Sequence, residues 1–501
     1  MLTLLLMLAP SIAAAQTIVP SPKPDSVGVT VYRDPHRGSQ PFDLNWLNGY
    51  ALISETRRVR LPAGESELRF EGVAGGIIPQ SAIVSGLPNG IVERNRDALL
   101  LSPGTLLDRS LGRRVHLRRT SAAGKVSEQE AVIRSGADGA VVLQTKDGIE
   151  ALRCSGQKET LIYDEVPPDL SARPTLSVRT RSREAVDATV TLSYLATGFD
   201  WQANYVATLN PAGDRLDLFA WLTLANGDAT SFAGAKANAV AGRLNRENAD
   251  VPEPVTRPLL LNCWPEGTTS DTGSLYPPPP APPPPPMSAP MPVAEVGYDQ
   301  IVVTGSRSAM KAELEALGDV KLYRIPEPVT VAANSQKQVA LIEKSGVKVD
   351  VVYRQRLFPA EDSESSAVRT IVTRNRVAEG LGVPLPAGGL VLFAQRDGRP
   401  LLIGEGSIAD SAVGEDVEIA VGTAPGVRAV LRVTEHTKGS RRAELQVSND
   451  SPAPIRYEAE FLADGARLKA DRKLGTRDGR PLWAVTIPAN GRATLRYSIK
   501  S

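Results

Sequence analysis

The sequence is poor in the residues that build most catalytic and metal sites. Its 501 residues hold two cysteines, Cys154 and Cys263, and three scattered histidines, His36, His116 and His436. No His-Glu-x-x-His or paired Cys-x-x-Cys spacing occurs, so a zinc centre has no framework. A Gly-x-Ser-x-Gly elbow for an acyl-transfer serine and a phosphate-cradling loop are missing too. No motif implies a cofactor. Neither sign of charge dominates: 57 Lys and Arg face 56 Asp and Glu, leaving no global field to gather nucleic acid or anionic lipid. Long apolar runs are also lacking, and a membrane-spanning helix needs ~20 such residues. No transmembrane segment is therefore expected.

What the chain does have is turns. Forty-two Gly and 40 Pro in a chain that is 42% hydrophobic point to many short strands. Val27 to Tyr32 alternates as a strand. Val59 and Leu61 share a face before a Pro62-Ala63-Gly64-Glu65 turn, and Leu68 and Phe70 resume the alternation as a hairpin. Ser102-Pro103-Gly104-Thr105 followed by Leu106, Leu107 and Leu111 predicts one short helix, with Ser102 as N-cap and Pro103 first in the helix. Short strands separated by Gly-Asp turns fill 113–165, a block the size of a small barrel. Longer strands follow, such as Thr189 to Leu195 with Val190, Leu192 and Tyr194 on one face.

The fold class read from this pattern is all-β and multi-domain. It has β-sandwich-like domains, a small β-barrel-like insert, one or two short helices and a disordered proline-rich insertion. The boundaries are a signal peptide at 1–15, a flexible leader at 16–26, an N-terminal β domain at 27–112 and the barrel-like insert at 113–165. A core β domain at 166–247 and 319–365 is split by the insertion at 248–318, and a C-terminal β-sandwich occupies 366–501. Within the insertion, Pro277 to Pro292 cannot form a helix or join a ladder. It would extend as polyproline II at ~3.1 Å per residue.

Residues 1–15 combine an apolar run from Leu2 to Leu8 with small residues at Ala13-Ala14-Ala15. That is a secretory signal, cleaved before Gln16, with a periplasmic or other extracytoplasmic destination. Such a compartment is oxidising, so Cys154 and Cys263 either form a disulfide or remain two isolated thiols. A bridge would stabilise the fold by ~4–5 kcal/mol in the chain-entropy model.

Several stretches together carry a family resemblance. They are Glu55-Thr56-Arg57 through Leu61-Pro62-Ala63-Gly64, Phe70-Glu71-Gly72-Val73 and Leu100-Leu101-Ser102-Pro103. The core adds Tyr194, Gly198, Trp201 and Tyr205 in order within Leu192 to Tyr205, an Asn226 to Ala235 turn, Leu322 to Pro326, Leu385 to Gly388, Gly404-Glu405 and Gly414-Glu415. In these the chain resembles the secreted bacterial proteins with a DUF4139 domain, relatives of the mucoidy inhibitor A group. The resemblance implies an all-β exported protein with no established activity. A second stretch, Ile301, Val302, Val303, Thr304, Gly305, Ser306 and Arg307, is similar to a segment near the mature N-terminus of TonB-dependent outer-membrane receptors. That likeness implies an exposed strand offered to an envelope protein partner through the proline-rich insertion. The plainer reading makes it a strand of the chain's own sheet or part of a linker.

The remaining candidates are weighed residue by residue. Trp201, Tyr205 and Trp221 stand on or beside expected strands. Aromatics on one face could stack a sugar ring or peptide as an aromatic surface, or bury ~150–250 Å² each in a sandwich core, the favoured reading. Gly404-Glu405-Gly406 is a turn in a β-rich region rather than a dinucleotide loop. Glu435 and His436, adjacent on a strand, point to opposite faces. The arginines at 113–114, 118–119 and 179–183 read as solvated strand faces. The function that follows is a non-catalytic binding or scaffolding protein of the envelope. The alternative is a hydrolase of an envelope polysaccharide or peptide, with carboxylates converging from distant strands.

Overall fold

A computed structural model describes residues 17–242 and 311–500, apart from short interruptions at 39, 98–99, 122, 137–140, 153–157, 168–169, 318–319, 397, 438–439 and 464–465. Residues 1–15, Cys154, Cys263 and the 301–307 segment lie outside the described residues. Strands make up 65% of the described residues and helix 3%, an all-β architecture of several sheets.

Three sheets supply most of the larger core. The broadest runs through Val320–Arg324, Phe232–Ala241, Ser26–Tyr32, Tyr50–Leu61 and Val186–Thr197. Facing it is a five-stranded sheet ordered Ser335–Lys348, Arg215–Asn226, Phe199–Leu209, Gly388–Arg396 and Arg399–Ile408. A smaller sheet centred on Gly64–Glu71 and Thr175–Ser182 closes one side. Val29, Ile53, Phe70, Leu192, Trp201, Leu222 and Leu392 all belong to this one core. Strict alternation explains it. Along Tyr50–Leu61 every second residue from Ala51 to Leu61 is buried, as a pleat with one inward face requires.

The strands do not respect the boundaries expected from sequence. Tyr50–Leu61 pairs along its whole length with Val186–Thr197, and Ser26–Tyr32 pairs in parallel with Phe232–Ala241. Residues 27–112 and 166–247 therefore share sheets. Phe199–Leu209 also pairs in parallel with Gly388–Arg396, across the boundary set at 365. Parallel pairing requires a long crossover, and no local pattern reports which distant segment returns.

The strands within 113–165 form a sheet of their own. Its five strands are ordered Gly148–Ala151, Val142–Thr145, Val126–Ile133, Arg114–Thr120 and Lys158–Tyr163. They curl as a half-barrel around Val115, Leu117, Ile133 and Leu143. The expected helix is present as Pro103–Arg109. Ser102 and Thr105 cap it reciprocally, and Leu107 plugs the half-barrel core.

A nine-stranded C-terminal sheet carries the second large core. Its 22-residue strand Asp416–Thr437 serves both cores: Val417, Ile419 and Val421 pack in the first, Val427, Ala429 and Leu431 in the second. Between the two groups the register against Ser363–Arg374 shifts twice, once between Thr370↔Ala420 and Val368↔Thr423 and again between Ala367↔Ala424 and Ser366↔Arg428. Such bulges re-aim the strand. Gly404 and Gly406 lie in the strand Arg399–Ile408 rather than in the expected turn. A Cβ at either would stand 2.1 or 2.3 Å from the carbonyl oxygen of Val421 or Ala420, so the glycines let two strands cross.

Candidate binding site

The connection from Ser26–Tyr32 to Tyr50–Leu61 runs through residues 33–49. Pro35, Gly38, Pro41 and Gly49 keep it out of either strand. Although irregular, it is held at several points. Asp200, fully buried, accepts hydrogen bonds from the Asp34 amide at 3.0 Å, the Trp201 amide at 2.8 Å and Arg37 Nε at 2.6 Å. Burial pushes the Asp200 carboxyl above its usual range, while Arg37 and the two amides pull it back. The Arg37 guanidinium also lies over the Phe42 ring, 4.3 Å from its centroid.

The far half of the loop is fixed by close packing. Leu47 is buried. Leu44 comes so near Gly227 that a Cβ there would stand 2.1 Å from the Leu44 carbonyl oxygen. Gly49 passes equally close to the backbone, with Phe199 O and Tyr32 O at 2.5 and 2.6 Å from a Cβ position. Between these anchors Asp43 to Trp46 forms a tight turn. The Trp46 amide donates to Asp43 O at 3.1 Å, and the Asn45 amide and Nδ2 donate to Asp43 Oδ1 at 3.0 and 3.2 Å. The turn presents Trp46 to solvent with 78% of its surface exposed. Asp43, Asn45 and Asn48 around it are exposed as well.

The three aromatics singled out from the sequence do not make a surface. Trp201 and Tyr205 are fully buried. Trp201 Nε1 donates to Val240 O at 2.9 Å, the edge of Tyr323 meets its ring, and Tyr205 Oη donates to Pro386 O at 2.6 Å. Trp221 is half-buried against Phe219. It sits opposite Asn204 in the ladder, on the other face of the sheet from Trp201 and Tyr205. The pleat thus separates them, and the first two serve the core.

Two charged groups are buried that a search for apolar residues alone passes over. Glu55 and Arg57 occupy inward positions two apart on Tyr50–Leu61. Glu55 Oε2 accepts from Arg57 Nε at 3.0 Å and from Nη2 at 2.6 Å, while Tyr194 donates to Oε1 at 3.0 Å. Arg57 also donates to the carbonyl oxygens of Ser21 and Glu71, and so ties three strands together. Burial raises the Glu55 carboxyl above its ordinary value, opposed by Arg57 and Tyr194. With both side chains sealed, the pair is a structural staple. Glu-x-Arg at inward positions was its signal in the sequence; a tryptophan inside a polar turn was that of Trp46.

Other candidates resolve more simply. Among the described residues no group of three His, Cys, Asp or Glu is placed to hold a metal ion. Glu435 pairs with Arg442 at 2.9 Å, and His436 is exposed. Arg179 and Arg181 pair with Glu93 and Glu65 on strand faces. An open groove of about 500 Å³ crosses the C-terminal sheet between Arg442, Lys469, Asp471 and Arg496. Of its carboxylates, Glu444 is bound to Arg496 at 2.7 Å. Comparison of the chain with models of protein families gave no match, and comparison with curated proteins gave none.

Proposed function

We propose that this chain is an exported β protein that works by binding rather than by catalysis, and that the 33–49 loop is its contact surface. One observation carries the reading: Trp46 is 78% exposed on a turn whose flanks are locked by Asp200, Leu47 and Gly227. Tryptophan is enriched among the few residues that dominate binding energy, and a preformed loop loses little conformational entropy on binding. The reading takes residues 1–15 as the export signal and the chain as a relative of the DUF4139 proteins. The 301–307 segment is a second contact, for an envelope partner.

Affinity capture from envelope extracts tests it. Full-length protein is expected to retain a component that Trp46→Ala loses at least about tenfold, with its thermal midpoint unchanged. Deleting residues 299–307 reports separately on the second contact. Equal retention by wild type and Trp46→Ala, or none by either, overturns the loop as the contact surface.

A further inference from the structure

Resting on the loop as contact surface, we infer that the ligand of the Trp46 turn is a neutral sugar ring, taken from the end or side of a glycan. Single exposed apolar side chains are common on protein surfaces and carry no meaning by themselves. This one differs in its surroundings. Asp43, Asn45 and Asn48 flank it, and Asp43 and Asn45 are already locked to each other at 3.0 and 3.2 Å. No other residue of the loop is an exposed large hydrophobic. The exposed residues next to Trp46 in the chain carry a carboxylate and two amides rather than apolar groups.

Sugars meet these features one by one. A pyranose presents a face of polarised C–H groups, which the negative face of an indole attracts as it attracts cations and aromatic edges. Its hydroxyls project sideways, and the exposed neighbours of Trp46 in the chain carry acceptors and donors of the kind they need. A carboxylate accepts such hydroxyls strongly, and a side-chain amide both donates and accepts. Charge selects further. The two arginines of the loop are committed, Arg37 to Asp200 at 2.6 Å and Arg33 to Asp410 at 2.5 Å. Asp43 stays exposed. An acidic sugar would meet a carboxylate with no free guanidinium of the loop to offset it, so a neutral ring is favoured.

The test uses full-length protein labelled with 5-fluorotryptophan, its Trp46 ¹⁹F resonance assigned by its loss in Trp46→Phe. The probes are maltohexaose, cellohexaose, tetra-N-acetylchitotetraose and, as the acidic control, tetragalacturonate. At least one neutral probe is expected to shift that resonance saturably and to give heat in calorimetry. Trp46→Ala should weaken binding about tenfold or more, Trp46→Phe less, and Asp43→Ala severalfold, while tetragalacturonate binds at least about tenfold more weakly. Absence of any response to the neutral probes, or preference for the acidic one, overturns the sugar assignment. Should envelope capture still depend on Trp46 in that case, the loop remains the contact surface and its ligand is a protein.

Discussion

Two regions of the molecule pair glutamate with arginine, and they do so to opposite effect. In the larger core Glu55 and Arg57 are sealed from solvent, and burial pushes Glu55 up. On the C-terminal sheet Glu460 takes Arg480 at 2.8 Å and Arg356 at 3.2 Å, while Glu458 takes Arg354 at 2.8 Å and Arg456 at 2.9 Å. Burial raises Glu460 as well, but the bonds and charges of Arg480 and Arg356 together outweigh it and hold the carboxyl below its ordinary value. What covers Glu460 is two partly exposed guanidinium groups rather than an apolar core. The contrast teaches that the sign of the shift follows from what surrounds a pair, not from the pairing itself.

The sharpest way to break the comparison is to remove one arginine from each region. Arg57→Ala leaves a carboxylate buried without its cation and is expected to cost about 3–5 kcal/mol in urea unfolding. Replacing Glu55 and Arg57 together by apolar residues of like volume should cost much less. Arg57→Ala within 1 kcal/mol of wild type would sink the staple reading. Asp200→Asn comes next, at about 2–3 kcal/mol, because Arg37 keeps a partly exposed guanidinium that water can reach. It should also open the 33–49 loop to limited proteolysis ahead of global unfolding, and an unchanged cleavage pattern would refute the anchoring role.

The smallest effects sharpen the comparison through pH. Glu460→Gln should cost at most about 1 kcal/mol at neutral pH, as expected for pairs at a surface. A depressed carboxyl contributes stability above its unfolded value, near about 4.3, and loses it as pH falls through the lower folded value. The wild-type advantage over Glu460→Gln should therefore shrink as pH falls below the unfolded value and vanish only below the lower folded one. Glu55 runs the other way. Its folded value is raised, so its linked contribution is full below the unfolded value and fades as pH rises through the folded one. The margin of wild type over Glu55→Gln should grow on acidification. Parallel curves for the two variants across this range would refute the opposed signs.

Much of the fold was legible because strands write themselves into sequence with a period of two. Val29 and Val31, Val190, Leu192 and Tyr194, and the capped helix at Ser102 all follow from local pattern and are found in place. The aromatic candidates show where that reading stops. Trp201 and Trp221 both sit on strands, yet which face meets the core depends on a partner strand the pattern does not name. Trp46 lies in a polar turn with no periodicity at all. Its exposure depends on Gly227 and Asp200, far along the chain.

By itself the sequence determined an all-β chain with a run of short strands at 113–165 and one short helix. It also held the alternation that puts Glu55 and Arg57 inward. These are decided within a few residues by pleat, turn chemistry and capping. The tertiary structure alone decided that Phe199–Leu209 lies beside Gly388–Arg396, that Tyr205 reaches the Pro386 carbonyl 181 residues away, and that Asp200 grips the Trp46 loop. Those neighbours are chosen by which distant surfaces bury each other best, a free-energy balance over the whole chain that no local window contains.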